Sequence, residues 1–241
     1  MKKAAMFLAG LCFTLSVTAQ EKKERVQGTG KSIKEKREMG AAYHKVSVTG
    51  NFEVTLVSGE TGTITLEGEE NLIEFISATV TDGELSISSG ERYLVPSRNK
   101  KIAVKVPVGI LNEVTLKGSG SIYVKNKVKN NVKVMLDGPG SIDLNVAAND
   151  VEAIVLGSGQ ITIEGNANMF DCRVVGSGTI KAYELKAPVV SALVSGSGNV
   201  ETNSSKSLKG RISGSGNIAF TGEPKETDLK HSGSGKFSLH Q

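Results

Sequence analysis

The sequence of 241 residues has no tryptophan, two cysteines and five prolines, and aromatic residues make up only 5% of it. So few cysteines exclude a small disulfide-stapled scaffold, and so few prolines exclude a collagen-like chain. After the first 20 positions no apolar run reaches the roughly 18 residues of a membrane-spanning helix. With 38% hydrophobic residues, the chain nevertheless has enough apolar side chains to bury a core.

The first residues have the pattern of a secretory signal peptide. Two lysines precede an apolar stretch from Ala4 to Val17, and the small residue Ala19 stands at a suitable cleavage position. We therefore predict a signal peptide over residues 1–19 and an exported protein in the periplasm or on the outer cell surface. Cleavage removes two lysines and no acid, so the net charge falls from +4 to +2, and binding to nucleic acid is not expected.

The segment that follows is strongly charged. Residues 20–40 contain seven bases and four acids but few apolar residues, which predicts a flexible tether. Gly30-Lys31-Ser32 resembles the end of a phosphate-binding loop, but that motif requires a glycine at the position of Arg25. Cys172 is the one cysteine left after cleavage, so the mature chain cannot form an internal disulfide.

A glycine motif recurs through the second half of the chain. Gly-Ser-Gly occurs six times and Gly-Pro-Gly once, at intervals of 18 to 20 residues. The glycines of these predicted turns are Gly118, Gly120, Gly138, Gly140, Gly157, Gly159, Gly176, Gly178, Gly196, Gly198, Gly214, Gly216, Gly233 and Gly235. On both sides of each motif apolar residues recur at every second position, which is typical of strands with one face turned inward.

The repeat predicts an all-β fold. A unit of about 19 residues cannot shield its own apolar face, so the units must stack and share one core. An antiparallel meander or barrel would reverse the order of the flanking residues in alternate units, and the order never reverses. We therefore predict a single-stranded parallel β-helix, or β-solenoid, of about seven coils over residues 112–241. Residues 41–111 show a looser strand pattern and are predicted to be a strand-rich N-terminal half or cap.

Several segments carry a likeness to a known family. They are the strand pair from Val46 to Leu56, Asn71-Leu72, Leu85-Ser86-Ile87, the segment Val104-Lys105-Val106-Pro107 and the Gly-Ser-Gly-x-Ile series, notably Gly214 to Ile218. Over roughly residues 40–241 the sequence resembles the putative auto-transporter adhesin head GIN domain family of exported bacterial proteins. The resemblance implies a parallel β-helix fold and a surface or adhesion role, and it supplies no catalytic residues.

Parallel β-helices include polysaccharide lyases and hydrolases, which need paired carboxylates or an acid cluster for Ca²⁺. Glu152 and Asp171 fall on successive coils, but Lys133 precedes them in the same column, which favours a solvated ladder of mixed charge. His231 has an inward position in the last coil and is predicted to be a frayed or capping residue. We expect no catalytic, metal or cofactor site; the carbohydrate-active alternative requires Glu152, Asp171 and Glu164 to converge in a cleft.

The strand before each turn has unexpectedly apolar outward positions in the middle coils. These residues are Met135, Ile154, Leu156, Val175 and Leu193. Strands that are apolar on both faces are usually covered on both, so we predict that residues 41–111 or a second copy cover this patch.

The predicted function is that of an exported, non-enzymatic structural or adhesion-type module, which presents flat sheets to a protein or glycan. Cys172 shares an inward position with small core residues and is predicted to be buried.

Overall fold

The structure, a computed structural model, describes residues 24–240. The predicted signal peptide lies outside the described residues, as do residues 20–23 and Gln241. The described chain is nearly all β-strand and forms a β-solenoid of about seven turns, which confirms the predicted fold class. Between residues 24 and 240 there is no helix with the length and apolar character needed to cross a membrane.

The described chain contains nineteen strands and one short helix. In chain order they are β1 (Glu24–Gln27), β2 (Ser32–Glu38), β3 (Lys45–Thr49), β4 (Glu53–Ser58), β5 (Thr63–Glu69), α1 (Glu70–Ile73), β6 (Ser77–Thr81), β7 (Glu84–Ser88), β8 (Arg92–Val95), β9 (Ala103–Val108), β10 (Glu113–Lys117), β11 (Ser121–Val128), β12 (Val132–Asp137), β13 (Ser141–Gly157), β14 (Gln160–Gly176), β15 (Thr179–Gly196), β16 (Asn199–Gly214), β17 (Asn217–Thr221), β18 (Glu226–Ser232) and β19 (Lys236–Leu239).

Each coil contributes to two parallel faces. Face 1 contains the strand segments that lead into a glycine corner, and face 2 contains the segments that leave it. In β13, for example, residues 141–148 pair along face 2 and residues 151–157 pair along face 1. Because the pairing is parallel and in register on face 1, Val155, Val174 and Val194 form one inward column, and all three are fully buried. The inward columns of both faces form one continuous core.

The two glycines of each corner are needed for different reasons. The seven first glycines have φ between +105° and +128°, where residues with a Cβ are strained. At Gly176 a Cβ would also lie 2.6 Å from the carbonyl oxygen of Gly157 in the preceding coil. Gly178 has no positive φ, but a Cβ there would lie 2.7 Å from the carbonyl oxygen of Gly159. The corners therefore stack in one column through close backbone contact.

The parallel coils begin well before the predicted boundary at residue 112. β3 and β4 form a complete coil, with Gly50 (φ +145°) at the corner position. β3 lies between β10 and β7, and β4 lies between β11 and β9, all in parallel. The chain thus makes the β3–β4 coil first, adds the β7–β9 coil on one side of it, and returns to the other side at β10. This order is invisible in the sequence because the spacing between these strands is irregular.

Antiparallel strands close the N-terminal end of the solenoid. β6 pairs with β7, β5 pairs with β9, and β2 pairs with β5. α1 buries Leu72 and Ile73. Arg37 of β2 donates hydrogen bonds to the carbonyl oxygens of Ile73, at 3.0 Å, and of Ile76. These elements cover the end of the core that the β7–β9 coil would otherwise expose.

The prediction of a flexible tether over residues 20–40 is wrong for most of this segment. β1 pairs in parallel with β8, and β2 pairs along its whole length with β5. The side chains of β2 alternate between exposed and half-buried, and none is fully buried. Backbone hydrogen bonds to β5 therefore hold this edge strand in place. Charges on an edge strand also discourage pairing with other chains. Composition alone does not distinguish such a strand from a disordered segment.

At the C-terminal end the core becomes exposed. β18 and β19 form the last coil, and within residues 24–240 they pair in register only with β16 and β17 of the preceding coil. Inward positions that are buried in the middle coils are only half-buried at Leu229 and Phe237, and Leu239 is 58% exposed. His231 is exposed and meets the ring of Phe237 edge-on, with the ring centroids 6.3 Å apart.

Candidate functional site

Face 1 carries outward apolar side chains over four consecutive coils. Met135, Ile154 and Leu193 share one column, and Leu156 and Val175 share the next. Val175 is 40% exposed, and the other four are half-buried. Because neighbouring strands are about 4.8 Å apart, the first column extends over about 14 Å. The structure thus brings the five residues of the predicted association patch together on one outer surface.

Selection of outward residues by apolarity alone misses Arg173. This residue pairs with Ile154 on one side and with Leu193 on the other, so its side chain lies in the middle of the first column. The spacing rule itself finds it, because Arg173 stands three residues before Gly176 just as Ile154 stands three before Gly157. We call the surface formed by Arg173 and the five apolar residues the face 1 patch.

A column of charged residues borders the face 1 patch. Lys133, Glu152 and Asp171 occupy successive coils in register. The Lys133 Nζ lies 3.3 Å from a carboxylate oxygen of Glu152. Farther out, the side-chain amide of Asn131 donates to the Asp150 carboxylate at 2.7 Å. Together with this column, Ile154, Arg173 and Leu193 of the patch line a shallow groove of about 560 Å³.

Residues 41–111 do not provide the predicted cover for this patch. The groove is lined by residues between Asn112 and Leu193. The coils of residues 41–111 extend the stack lengthwise, and β5, β6 and α1 close its end. The outer surface of face 1 is therefore open to another molecule.

The carboxylates that polysaccharide cleavage would require do not converge. Glu152 and Asp171 lie side by side on face 1, where Lys133 pairs with Glu152. Glu164 lies on face 2, where it accepts a hydrogen bond from Asn145 at 2.6 Å. The described residues thus lack the two carboxylates facing each other across a substrate that a glycosidase uses. Nor do residues 24–240 contain a group of three or more His, Cys, Asp or Glu side chains that could hold a metal ion.

Cys172 lies in the core. It is 4% exposed and shares an inward column with Ala153 and Ala192. Burial, assisted by the charge of Asp171, raises the pKa of its thiol far above the usual range. Since the thiolate is the nucleophile, the thiol is unreactive in the folded protein.

We expect the Cys172 thiol to react with 5,5′-dithiobis(2-nitrobenzoate) roughly 100-fold more slowly in the native protein than in guanidinium chloride, because reaction requires local opening of a core strand. The release of thionitrobenzoate measures the rate. A Ser191→Cys variant is the control, since this position is outward-facing and half-buried and pairs with Asp171. Equal native rates for Cys172 and for the thiol at position 191 would show that Cys172 is accessible.

Glu69 is the one charged side chain in residues 24–240 that is fully buried. Its carboxylate accepts hydrogen bonds from the Ser97 amide at 2.7 Å, from the Ser97 hydroxyl at 2.6 Å and from the Gly30 amide. Burial by itself raises the pKa of Glu69, but the bonds from Ser97 and Gly30 and the nearby charge of Lys100 outweigh it and lower the pKa. The loop that resembles a phosphate-binding sequence thus binds a carboxylate of its own chain.

Solved structures share this architecture. A putative adhesin from Bacteroides fragilis NCTC 9343 is 24% identical, with a TM-score of 0.79 over 89% of this chain and 100% of that one. A putative lipid binding protein from Parabacteroides distasonis ATCC 8503 is 21% identical, with a TM-score of 0.75 over 90% of this chain and 100% of that one. A putative adhesin from the same organism is 23% identical, with a TM-score of 0.72 over the same shares. At such identities the likeness concerns the fold.

The family comparison covers most of the chain. Among curated proteins, none matches this sequence. The family described as "Putative auto-transporter adhesin, head GIN domain" matches residues 42–224, which include all coils from β3 to β17. The match therefore includes the strand pair from Val46 to Leu56 and the glycine corners from Gly118 to Gly216. The chain belongs to the putative auto-transporter adhesin head GIN domain family.

Proposed function

We propose that this protein is an exported, non-enzymatic binding module of the adhesion type, which uses the face 1 patch to bind a protein partner in the cell envelope or at the cell surface. The observation that carries the proposal is the patch itself, an open apolar surface with Arg173 at its centre. The family description supports an adhesion role, and two of the similar structures are described as putative adhesins.

The composition of the patch suits a protein interface. Such interfaces have an apolar centre, enriched in Met and Arg, and a polar rim. Met135, Ile154, Arg173 and Leu193 supply the centre, and the column that contains Lys133 supplies part of the rim. Complete burial of one such apolar side chain is worth about 1.5–3 kcal/mol. The strands are already ordered, so little conformational entropy is lost on binding.

A glycan fits this surface less well. Sugar rings commonly stack on aromatic side chains, which offer a flat apolar surface with a polar edge. The residues that line the face 1 groove, all of them in the described part of the chain, include no aromatic side chain. Tyr123, which is 44% exposed, lies on face 2. The proposal therefore favours a protein.

Placing two carboxylates in the patch, with Ile154→Asp and Leu193→Asp, is expected to weaken partner binding by at least about tenfold, which corresponds to roughly 1.4 kcal/mol. Charged groups in the middle of an apolar contact must lose their water without gaining a partner. The measurement is binding of the labelled mature protein to an array of purified extracellular and envelope proteins, followed by titration of each protein that binds.

Thr162→Asp with Ala219→Asp is the matched control, because it adds the same charge at half-buried outward positions of face 2. We expect this variant to bind like the wild type. Equal binding by both double variants, or binding of the wild type to a glycan array and to no protein, would contradict the proposal. Circular dichroism and thermal melting establish that each variant is folded.

Protease treatment of intact cells addresses the compartment. Cleavage of the protein in intact cells supports surface exposure, whereas cleavage only after the outer membrane is opened supports a periplasmic location. Protection in both cases would contradict export to either place.

A further inference from the structure

The last coil presents unpaired backbone groups at an open edge. The Gly138 amide donates to the Leu156 carbonyl of the next coil, at 2.9 Å, so backbone groups at this position face forward along the stack. Gly233 occupies the position of Gly138 in the last coil. Because the direction of the backbone groups alternates along a strand, those of Leu229 and His231, four and two residues before Gly233, also face forward from β18. The His240 amide donates backward to Phe220, at 2.8 Å, so Leu239 faces forward in the same way. Within residues 24–240, β18 pairs in register only with β16 and β19 only with β17, so these groups have no strand partner.

β18 is complementary to itself in the antiparallel direction. Its sequence is Glu-Thr-Asp-Leu-Lys-His-Ser, with Leu229 at the centre. If two copies of this strand pair about Leu229, Asp228 of one copy stands opposite Lys230 of the other, and this occurs twice. Opposite charges in directly facing positions stabilise an antiparallel pair. Leu229 then forms a hydrogen-bonded pair with its own counterpart, because its backbone groups face the edge.

The same symmetry axis serves β19. Leu229 lies four residues before Gly233, and Leu239 lies four residues after Gly235, so the two leucines occupy equivalent positions on either side of the corner. A two-fold axis that crosses both faces at these positions pairs β18 with β18 along its whole length and places Leu239, at the end of β19, opposite its own counterpart on the other face. It also places the half-buried Leu229 and the 58% exposed Leu239 of both copies at the centre of the contact.

We propose that two copies of the protein associate tail to tail through β18 and the end of β19, and so extend face 1 into one continuous sheet across the dimer. This arrangement forms about eight backbone hydrogen bonds across the axis. A two-fold contact of this kind is closed and does not grow into a fibre. The opposite end of the solenoid cannot substitute, since β2, β6 and α1 cover it and β2 is strongly charged. The contact is separate from the face 1 patch.

The test is the mass of the mature full-length chain by sedimentation velocity and light scattering over a range of concentrations. The wild type is expected to be a dimer that dissociates on dilution. Leu239→Lys puts a charge at the symmetry axis and is expected to raise the dissociation constant at least tenfold. Ile110→Lys is the matched control, because Ile110 is 62% exposed and lies far from this end, and it is expected to leave the dimer intact.

A second pair of variants tests the register. Lys230→Glu places two acids opposite each other and is expected to weaken the dimer, whereas Lys225→Glu makes the same charge change in the loop before β18 and is expected to have no effect. A wild type that stays monomeric at its highest soluble concentration overturns the proposal. So does a Leu239→Lys variant that stays dimeric, or a dimer that Ile154→Asp with Leu193→Asp dissociates. That last result would assign the contact to face 1.

Discussion

Replacement of Gly176 by alanine is expected to lower the free energy of unfolding by about 4 kcal/mol, the sum of a strained φ and an overpacked contact. The φ of Gly176 is +116°, and the new methyl group would lie 2.6 Å from the Gly157 carbonyl oxygen. The neighbour cannot move away easily, because it belongs to the backbone of the coil beneath. Chemical denaturation followed by circular dichroism measures the loss.

Gly157 offers an informative comparison. Its φ of +105° imposes a similar strain, but the heavy atom nearest to an added Cβ lies at 3.4 Å, an ordinary contact distance. Gly157→Ala should therefore lower the free energy of unfolding only through the strained φ, by about 2 kcal/mol. Ser177→Ala, at the exposed middle position of the same corner as Gly176, should change stability by less than about 0.5 kcal/mol. Equal losses for Gly157→Ala and Gly176→Ala would show that close stacking of the corners contributes nothing.

The regular coils were predictable because the repeat states their physical requirements directly. Each coil needs a corner without side chains and inward positions that are apolar, and both appear every 18 to 20 residues. The burial of Cys172 follows from its column in the same way, since position within the repeat fixes which way a side chain points. Departures from this regularity were predictable only in part.

The N-terminal part of the chain shows the limit. The β3–β4 coil has a valid corner at Gly50, but its neighbours in space are β7 and β10, which follow at different distances in sequence. Spacing reveals stacking only when neighbouring coils are also consecutive. The sequence of β2 resembles that of a tether because backbone pairing with β5 stabilises this strand, and hydropathy carries no information about such pairing.

The candidate binding surface was predictable in position but incomplete in chemistry. Outward apolar residues stand out because they violate the alternation expected of a solvated face. Arg173 does not stand out, since an arginine is ordinary at an outward position, and only its neighbours Ile154 and Leu193 give it significance. Glu69 has no signal in the sequence, because its partners Gly30 and Ser97 lie 39 and 28 residues away.

Replacement of Glu69 by glutamine is expected to lower the free energy of unfolding at neutral pH by about 2 kcal/mol, the scale of a lost hydrogen bond to a buried charged group. One carboxylate oxygen becomes an amide that points at a backbone or hydroxyl donor of Ser97 or Gly30. Chemical denaturation measures the loss, and hydrogen exchange of the amides of β1 and β2 reports whether the N-terminal strands loosen first.

The pH dependence separates the charge of Glu69 from its shape. Its pKa is lower in the folded protein than the ordinary value of 4.5, so the folded state favours the ionised form. This contribution is complete above the unfolded pKa and is lost as the pH falls through the lower, folded pKa. The wild type should therefore lose stability relative to Glu69→Gln as the pH is lowered from neutrality to below 4.5.

Glu70→Gln is the control, because Glu70 is exposed and its ion pair with Lys31, at 2.6 Å, is a surface contact worth less than about 1 kcal/mol. A constant stability difference between wild type and Glu69→Gln across this range would mean that the buried carboxylate is not held in its charged form.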